Sequence, residues 1–471
     1  MLNCLNMFPV KLKKYNLIYS LGILQLIVSL FLLKLSYSFS PEIPLSERPV
    51  IFFVALLIVL SILYLFAVRF RLSSGNVRRL LFFIFAIGLV IRVVMLFSVP
   101  VLEDDFNRYL WDGAVSGNGI NPYVYSPQQV LNEGPDMFGD VKSHGENILY
   151  KINHPHLKTI YPPVSQFVFA LSYKLAPYNL LAFKIILLLF DLITLFLLLY
   201  SLRIIGFSPL NILIYWWNPL LINEIFVSGH FEVLAFPFVI SAILLINRKY
   251  IISAFGSLAL AAGVKLWPIF LFPLLLKKNL KGLAGFLKSS IFFLIFLAAI
   301  FIPITFFKLD SSSGFVAYSQ TWENNSSLFR IFLFTGEQIL NYLSIHPGHA
   351  QRYTRIFVAL ITIVWILYQA LKYDRTLLDL YKRSLFIVAA IFLIGPTQFP
   401  WYYTWMLPFL TVIPRFSLLF LTTLLPLYYL RYYLEPSGRL DLFNNYVVWI
   451  EFVPIWILIV LESRKKQLLN F

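Results

Sequence analysis

Residues 80–109 read LLFFIFAIGLVIRVVMLFSVPVLEDDFNRY, a long apolar run that ends in three consecutive acidic side chains. About 20 apolar residues are what a helix needs to cross the hydrocarbon core of a membrane. Only 13% of the residues in the chain are charged, so three neighbouring carboxylates at the end of such a run are a strong local signal. The stretch predicts a membrane-spanning helix followed by a loop that carries chemistry.

The rest of the chain has the same apolar character. Of its 471 residues, 59% are hydrophobic and 18% are aromatic, whereas soluble globular proteins are about 45–50% apolar. Lipid offers no partner for backbone polar groups, so the apolar runs are expected to be helices. We therefore predict an all-α polytopic integral membrane protein that forms a single domain over residues 1–471.

The charge distribution excludes several other classes of protein. The formal net charge is +16, but the basic residues form short clusters between apolar runs instead of the single patch that nucleic acid requires. The one cysteine, Cys4, has no partner for an internal disulfide, and no zinc-binding spacing is present. The basic clusters are interpreted as signals of membrane topology, with no nucleic acid as partner.

Hydropathy predicts about 12 to 14 membrane-spanning helices. Lys11, Lys13 and Lys14 precede the first apolar run and place the N-terminus in the cytoplasm. The predicted spans are residues 16–38, 49–68, 80–101, 179–201, 208–226, 231–246, 250–264, 266–276, 283–307, 353–371, 384–397, 401–414, 416–434 and 446–461.

This arrangement places most basic clusters on the cytoplasmic side, including those at 277–281 and 464–466. Residues 100–160 then form a large extracytoplasmic loop with short interfacial helices, and residues 308–352 form a second extracytoplasmic segment. Whether 163–177 crosses the membrane stays open. It is short and contains Gln166 and Lys174, so we treat it as an interfacial helix.

Three acidic residues, Glu103, Asp104 and Asp105, open the large loop. A solvated helix end is the simpler interpretation, since charged residues often stand at a membrane surface. Against it, adjacent carboxylates raise one another's pKa, and further polar side chains follow in the same loop. These are Arg108, Asp112 and His154. A carboxylate in this setting suits a general base that takes a proton from a sugar hydroxyl.

Aromatic residues beside prolines form a second pattern. Asn121 and Tyr123 flank one proline, and Tyr161 precedes two more; proline fixes its own backbone angle and predicts a turn. These aromatics, together with Tyr109, suit a platform for a sugar ring or an isoprenoid chain. The alternatives are that the prolines only mark turns in the loop, or that the aromatics belong to the belt typical of membrane interfaces. The belt is also our interpretation of residues 398–403.

A polar island follows at residues 218–232. Glu224 and His230 are six residues apart, which separates them on an unbroken helix, but Gly229 permits a break that brings them together. An acid and an imidazole near a membrane face indicate a site, and Glu232 lies beside them.

Lys265 interrupts the apolar run from residue 251 to residue 276. A lysine there either extends its ammonium group to the membrane surface or serves a function. Its compact, mobile positive charge suits an anionic leaving group.

The motifs together resemble a known superfamily. They are DDFNRYLWDG at 104–113, GINPY at 119–123, NHP at 153–155, YPP at 161–163, and the polar island with GHFE at 229–232. Their order resembles the GT-C glycosyltransferases, polytopic membrane enzymes, and within them the bacterial mannosyltransferases that depend on polyprenyl-phosphate-mannose.

This resemblance implies transfer of a hexose, expected to be mannose, from a polyprenyl-phosphate donor to a glycan or glycolipid acceptor, with inversion at the anomeric carbon. It implies a catalytic Asp in the first large loop, where Asp105 stands, with Asp104 as the alternative, and it implies neither a metal nor another cofactor. The family commonly has Asp where this chain has Glu232. The implied location is the bacterial inner membrane, with the active site facing the periplasm or the exterior.

The residues themselves are compatible with this activity. A nucleotide-sugar donor would call for a phosphate-binding glycine loop at a helix start, and the sequence has none. In the resulting hypothesis, Asp105 is the base, while Lys265, Arg108 and His230 stabilise the departing phosphate.

Two other classes of protein stay open. A transporter or flippase of a lipid-linked sugar would use the same intramembrane charges. A membrane acyltransferase or phosphotransferase would use a histidine of the large loop, namely His144, His154 or His156.

Overall fold

The computed structural model describes residues 10–40, 42–71, 76–133, 136–279, 282–306, 312–344 and 346–464. This part of the chain is built from helices and contains no β-strand beyond two isolated bridges. Cys4, Lys281, Lys465 and Lys466 lie outside the described residues. The predicted all-α class is therefore confirmed for the described part of the chain.

The helices follow one another through most of the sequence, with short 3-10 and π turns between several of them. The α-helices up to the middle of the chain are α1 Val10–Ser36, α2 Val50–Phe70, α3 Val77–Met95, α4 Asp105–Gly117, α5 Pro127–Glu133, α6 Gly139–Leu149, α7 Pro163–Leu175, α8 Leu180–Ile205, α9 Leu213–Trp216, α10 Pro219–Ile222, α11 Phe236–Asn247 and α12 Ile251–Val264. Those that follow are α13 Phe272–Asn279, α14 Gly282–Phe301, α15 Gly314–Thr321, α16 Leu328–Tyr342, α17 Ala350–Leu371, α18 Leu377–Ile394, α19 Pro400–Tyr403, α20 Leu407–Val412, α21 Phe416–Leu424, α22 Arg431–Leu434, α23 Leu440–Leu442 and α24 Val448–Arg464.

Six of the described helices are long and apolar enough to cross a membrane, and a bent pair raises the number to seven if it forms one span. The six are Leu17–Phe39, Val50–Phe70, Leu180–Ile205, Gly282–Thr305, Ala350–Leu371 and Leu440–Arg464; the pair, bent by 103°, is Pro219–Val227 with Glu232–Asn247. The chain is a polytopic membrane protein.

Hydropathy predicts more spans than helix length supports. Several other predicted spans are present as short helices interrupted near prolines, for example Pro268 and Pro426. Proline lacks a backbone N–H and clashes with the preceding turn, so it ends or bends a helix. The count of six or seven includes only described helices of at least 18 residues with few charged side chains, so shorter, broken or more charged predicted spans fall outside it.

The chain folds as two compact units, each assembled from separated segments. The first unit comprises Met1–Val99, Leu198–Asn223 and Leu410–Phe471. Within it, Arg92 of α3 donates a hydrogen bond to the Trp216 carbonyl oxygen (2.6 Å) and lies 3.5 Å over the Trp216 ring. Tyr64 of α2 donates to the Ile214 carbonyl oxygen at 2.8 Å. Buried polar contacts of this kind join helices that are distant in sequence.

The second unit comprises Pro100–Leu197 and Glu224–Phe409, and every predicted site residue belongs to it. The large loop forms short helices here, as predicted: α4, α5 and α6, with a hydrophobic core of their own around Trp111, Phe138 and Val141.

Helix α7 packs closely on α4. A Cβ atom at Gly113 of α4 would lie 2.5 Å from the Phe169 carbonyl oxygen of α7. Only glycine allows this approach, so Gly113 determines how closely α4 packs on α7. The 13 residues of α7 match the short helix predicted after Tyr161.

Candidate active site

The acid pair stands where the backbone turns into α4. Asp104 occupies the N-cap position without a capping hydrogen bond from its side chain, and Asp105 is the first residue of the helix. The side-chain amide of Asn153 donates to Asp104 Oδ1 at 2.6 Å and to Asp105 Oδ1 at 3.0 Å. One asparagine thus holds two carboxylates of like charge side by side.

The surroundings of Asp104 change its proton affinity. Its side chain is exposed on one side, but desolvation by the protein around it and the Asp105 charge raise the pKa of Asp104 to about 6. The hydrogen bond from Asn153 acts in the opposite direction because it stabilises the charged form. A carboxyl group with a pKa near the working pH is suited to exchanging a proton with substrate.

Tyr109, one turn further along α4, connects the acid pair to the polar island. Its hydroxyl donates to Asp105 Oδ2 at 3.4 Å and lies 3.3 Å from His230 Nδ1. Its ring packs against Tyr161 and Phe231, with centroids 5.1 and 5.0 Å away. The predicted aromatic residues therefore pack together, and the Tyr109 ring is buried among them.

The polar island contains the break that the sequence predicts. Asn223–Val227 is a π turn, and Gly229 has φ +83°, a conformation that side chains other than glycine rarely adopt. The His230 N–H donates to the Glu224 carbonyl oxygen at 2.9 Å, and His230 Nε2 lies 3.9 Å from Glu224 Oε2. The break brings the acid and the imidazole together.

Trp401 of α19 covers one face of the His230 imidazole. Its ring is stacked on that of His230, with centroids 4.0 Å apart and an interplanar angle of 18°. The sequence predicts an aromatic belt at this position, with closure of a lipid or sugar groove as the alternative. It does not predict the contact with His230, because a contact between residues 171 positions apart has no local signature.

Lys265 forms an ion pair with Glu232. Its Nζ lies 2.9 Å from Glu232 Oε1 and 4.4 Å from the centroid of the Phe231 ring. Glu232 is fully buried, and Lys265 is 16% exposed. The carboxylate thus neutralises part of the lysine charge, and Lys265 keeps a side open to solvent or substrate.

Arg108 and Asp112 pair with each other on α4. Arg108 Nε donates to Asp112 Oδ1 at 2.8 Å, and Arg108 Nη1 donates to the Leu157 carbonyl oxygen at 3.0 Å. Gln166 Nε2 of α7 donates to Asp112 Oδ2 at 3.0 Å. Because both charged side chains are buried in this network, they fix the loop and its helices behind the acid pair.

Asn121 and Tyr123 also have structural partners. The Asn121 amide donates to the Pro303 carbonyl oxygen at 3.0 Å, while its oxygen accepts from the Tyr123 N–H. The Tyr123 hydroxyl donates to the Tyr161 carbonyl oxygen at 2.7 Å. These contacts hold the two proline turns together and position the Tyr161 ring.

His154 follows Asn153 with a left-handed backbone, φ +47°. Its ring packs edge-on against Trp322 at 4.7 Å and against His156 at 6.1 Å. Partial burial and the neighbouring His156 lower the pKa of His154, so the imidazole is neutral at pH 7. An exposed aromatic surface thus lies next to the acid pair.

Sequence reasoning missed three residues of this arrangement as site candidates: Asn153, Trp322 and Trp401. Asn153 carries a sequence signal, since it opens the NHP motif. In the part of the chain that the structure describes, no group of three or more His, Cys, Asp or Glu residues is arranged to hold a metal ion.

A helical membrane protein with a paired carboxylate at the start of its first large loop has the features of a GT-C-type glycosyltransferase. Residues 45–277, about half of the chain, match the model of the MptA_B family, described as alpha-(1->6)-mannopyranosyltransferase, N-terminal domain. This match confirms the predicted resemblance to a GT-C-type mannosyltransferase family. No curated protein and no solved structure shows significant similarity to the chain. The family supports a mannosyltransferase activity and implies a sugar donor and an acceptor.

Proposed function

We propose that the protein transfers mannose from a polyprenyl-phosphate donor to a hydroxyl group of a glycan or glycolipid, on the extracytoplasmic side of a bacterial inner membrane. The observation that carries this proposal is the carboxylate pair held by Asn153 at the start of α4. The family match supports mannose as the sugar.

In the proposed reaction, the acceptor oxygen attacks C1 of the donor sugar from the face opposite the phosphate. The C1–O bond to phosphate breaks, and its electron pair leaves with the phosphate, so the anomeric configuration inverts. Asp105 takes the proton from the acceptor hydroxyl. Asp105 is taken as the base because it stands where the family resemblance implies the catalytic Asp; Asp104 is the alternative.

The departing phosphate is stabilised by Lys265 and His230. Lys265 is a partly exposed cation at the edge of the aromatic cluster. His230 Nε2 makes no hydrogen bond within the described residues, so it can donate one to a phosphate oxygen. Arg108 is less suited to this task than the sequence predicts, because Asp112 and the Leu157 carbonyl oxygen already occupy its guanidinium group.

A lipid-linked donor agrees with the architecture. The described helices include long, lipid-exposed apolar surfaces; only 11% of the most apolar window of Gly282–Thr305 is buried. An isoprenoid chain can lie along such a surface with its phosphate at the level of Lys265.

The test is a transfer assay with the purified protein in detergent. Radiolabelled polyprenyl-phosphate sugars are offered one at a time with a crude glycan and glycolipid acceptor fraction. Wild-type protein should transfer mannose, and Asp105→Asn should lose about 10²- to 10⁴-fold in rate, the usual contribution of a general base. Asp136→Asn, an exposed acid of the same loop, is the matched control and should retain full activity.

Full activity of folded Asp105→Asn with loss in Asp104→Asn would reassign the base to Asp104. Full activity in both variants would exclude the acid pair from the reaction. Equal binding of the lipid donor by wild type and variants without any transfer would favour the transporter class.

A further inference from the structure

A polar groove in the second unit is lined in part by His156, three residues after Asn153. Its volume is about 410 Å³, within the range of about 300–1,000 Å³ that is usual for ligand sites. Its walls come from α5, from the turn before α5 and from the loop after Asn153, where His156 contributes a ring. The Gln128 N–H donates to the Pro155 carbonyl oxygen at 2.8 Å, which fixes α5 to the loop that holds the acid pair.

The chemistry of the groove is that of uncharged hydrogen-bonding groups. Its lining includes Tyr125, Ser126, Gln128, Gln129, Asn132 and His156. Side-chain amides both donate and accept hydrogen bonds, as sugar hydroxyls do. Among the described residues, the lining contains no Lys, Arg, Asp or Glu. These side chains offer a neutral polyol many hydrogen-bonding partners and supply no cationic counter-charge for an anionic ligand.

Two of these amides are available to a ligand, and the third has a structural role. Gln128 and Asn132 are four residues apart on α5, so they lie on the same helix face. Both are exposed, and neither side-chain amide makes a hydrogen bond within the described part of the chain. Gln129 instead accepts from the Ser126 N–H at 2.9 Å and caps the helix.

A continuous surface leads from the groove to the carboxylates. His156 lines the groove and contacts His154, which packs on Trp322 and follows Asn153 in the chain. Aromatic rings stack on the apolar faces of sugars. We propose that an acceptor oligosaccharide, neutral and several sugars long, lies along this surface, with its inner sugars in the groove and its reacting hydroxyl at the acid pair. This inference rests on the proposed function for the identity of the reacting end.

The transfer experiment compares acceptors of two lengths, methyl α-mannopyranoside and a linear mannose tetrasaccharide. The double variant Gln128→Ala/Asn132→Ala should raise KM for the tetrasaccharide about tenfold, since two lost hydrogen bonds of about 1 kcal/mol each are worth that factor or more. Its kcat and its KM for the monosaccharide should not change. Asn147→Ala removes an exposed amide of α6 outside the groove and should match wild type with both acceptors.

A binding measurement separates this inference from the proposed function. Equilibrium dialysis of the radiolabelled tetrasaccharide against full-length Asp105→Asn reports binding without turnover. Weaker binding after addition of the double substitution supports the groove even if no donor supports transfer, in which case the proposed function alone fails. Unchanged binding and an unchanged KM in a variant that transfers mannose would overturn the groove assignment and leave the proposed function standing.

Discussion

At the scale of single residues, Asn153 is the side chain that contacts both carboxylates of the acid pair. Its hydrogen bond lowers the pKa of Asp104, so Asn153→Ala should raise that pKa above about 6. The pH–rate profile of two adjacent carboxylates that share one asparagine reports the pair as a whole, so its acidic limb should move upward with the pKa of Asp104. We expect about half a pH unit, because water replaces part of a charge-assisted hydrogen bond at an exposed carboxylate. The measurement is kcat/KM from pH 5 to pH 9.

The control for this experiment is Asn147→Ala, which leaves the carboxylates untouched. An acidic limb that stays in place in Asn153→Ala, or that moves to lower pH, would contradict a role for Asn153 in setting the proton affinity of the pair.

Lys265 and Glu232 give a second prediction at this scale. Lys265→Met leaves a fully buried carboxylate without its cation, which typically destabilises a protein by about 3–5 kcal/mol. Removing both charges in Lys265→Met/Glu232→Gln should recover most of that loss. Thermal unfolding in detergent compares the two variants, and transfer activity should be low in both if Lys265 stabilises the phosphate. A double variant that melts no higher than the single one would mean that the two side chains are not energetically coupled.

At the scale of elements, the break at Gly229 positions the polar island. Gly229→Ala places a Cβ at φ +83°, which costs about 1–2 kcal/mol and favours a straighter helix. Its nearest neighbours, on Leu180 and Phe106, are 3.5 and 3.6 Å from that Cβ, so the effect is one of backbone conformation and not of crowding. We expect a lower melting temperature and at least a tenfold loss of activity as His230 moves.

Gly206 provides a matched control, since it has the same φ of +83° and open space around its Cβ. Gly206→Ala should lose similar stability while transfer activity stays near that of wild type. Equal activity in the two variants would show that the geometry at Gly229 does not serve the reaction.

The break at Gly229 also shows which features of the site can be predicted from the sequence. The break at Gly229 is predictable because glycine and a polar pair lie within a few residues of one another. The stacking of Trp401 on His230 and the pairing of Lys265 with Glu232 are not, because they depend on how separate helices pack. Likewise, hydropathy identifies the membrane class correctly, but it does not show where a predicted span is broken into shorter helices.

At the scale of the whole molecule, the predicted topology places the large loop outside the cell membrane and the turn after α17 inside. Cys4→Ser removes the only cysteine, and single cysteines can then be introduced at exposed positions. In intact cells, His144→Cys should react with a membrane-impermeant maleimide, whereas Lys372→Cys should react only after permeabilisation. The reverse pattern would place the acid pair in the cytoplasm and contradict the extracytoplasmic reaction.

The division of the chain into interleaved units has a consequence for biosynthesis. In the first unit, Ser61 of α2 donates to the Thr422 carbonyl oxygen at 3.0 Å, and Phe53 packs on Tyr429. These partners lie more than 350 residues apart in the sequence. The ribosome therefore synthesises one partner long before the other. The earliest helices must therefore wait in the bilayer, incompletely packed, until the last segment has been inserted, a period in which membrane chaperones and proteases compete for the nascent chain.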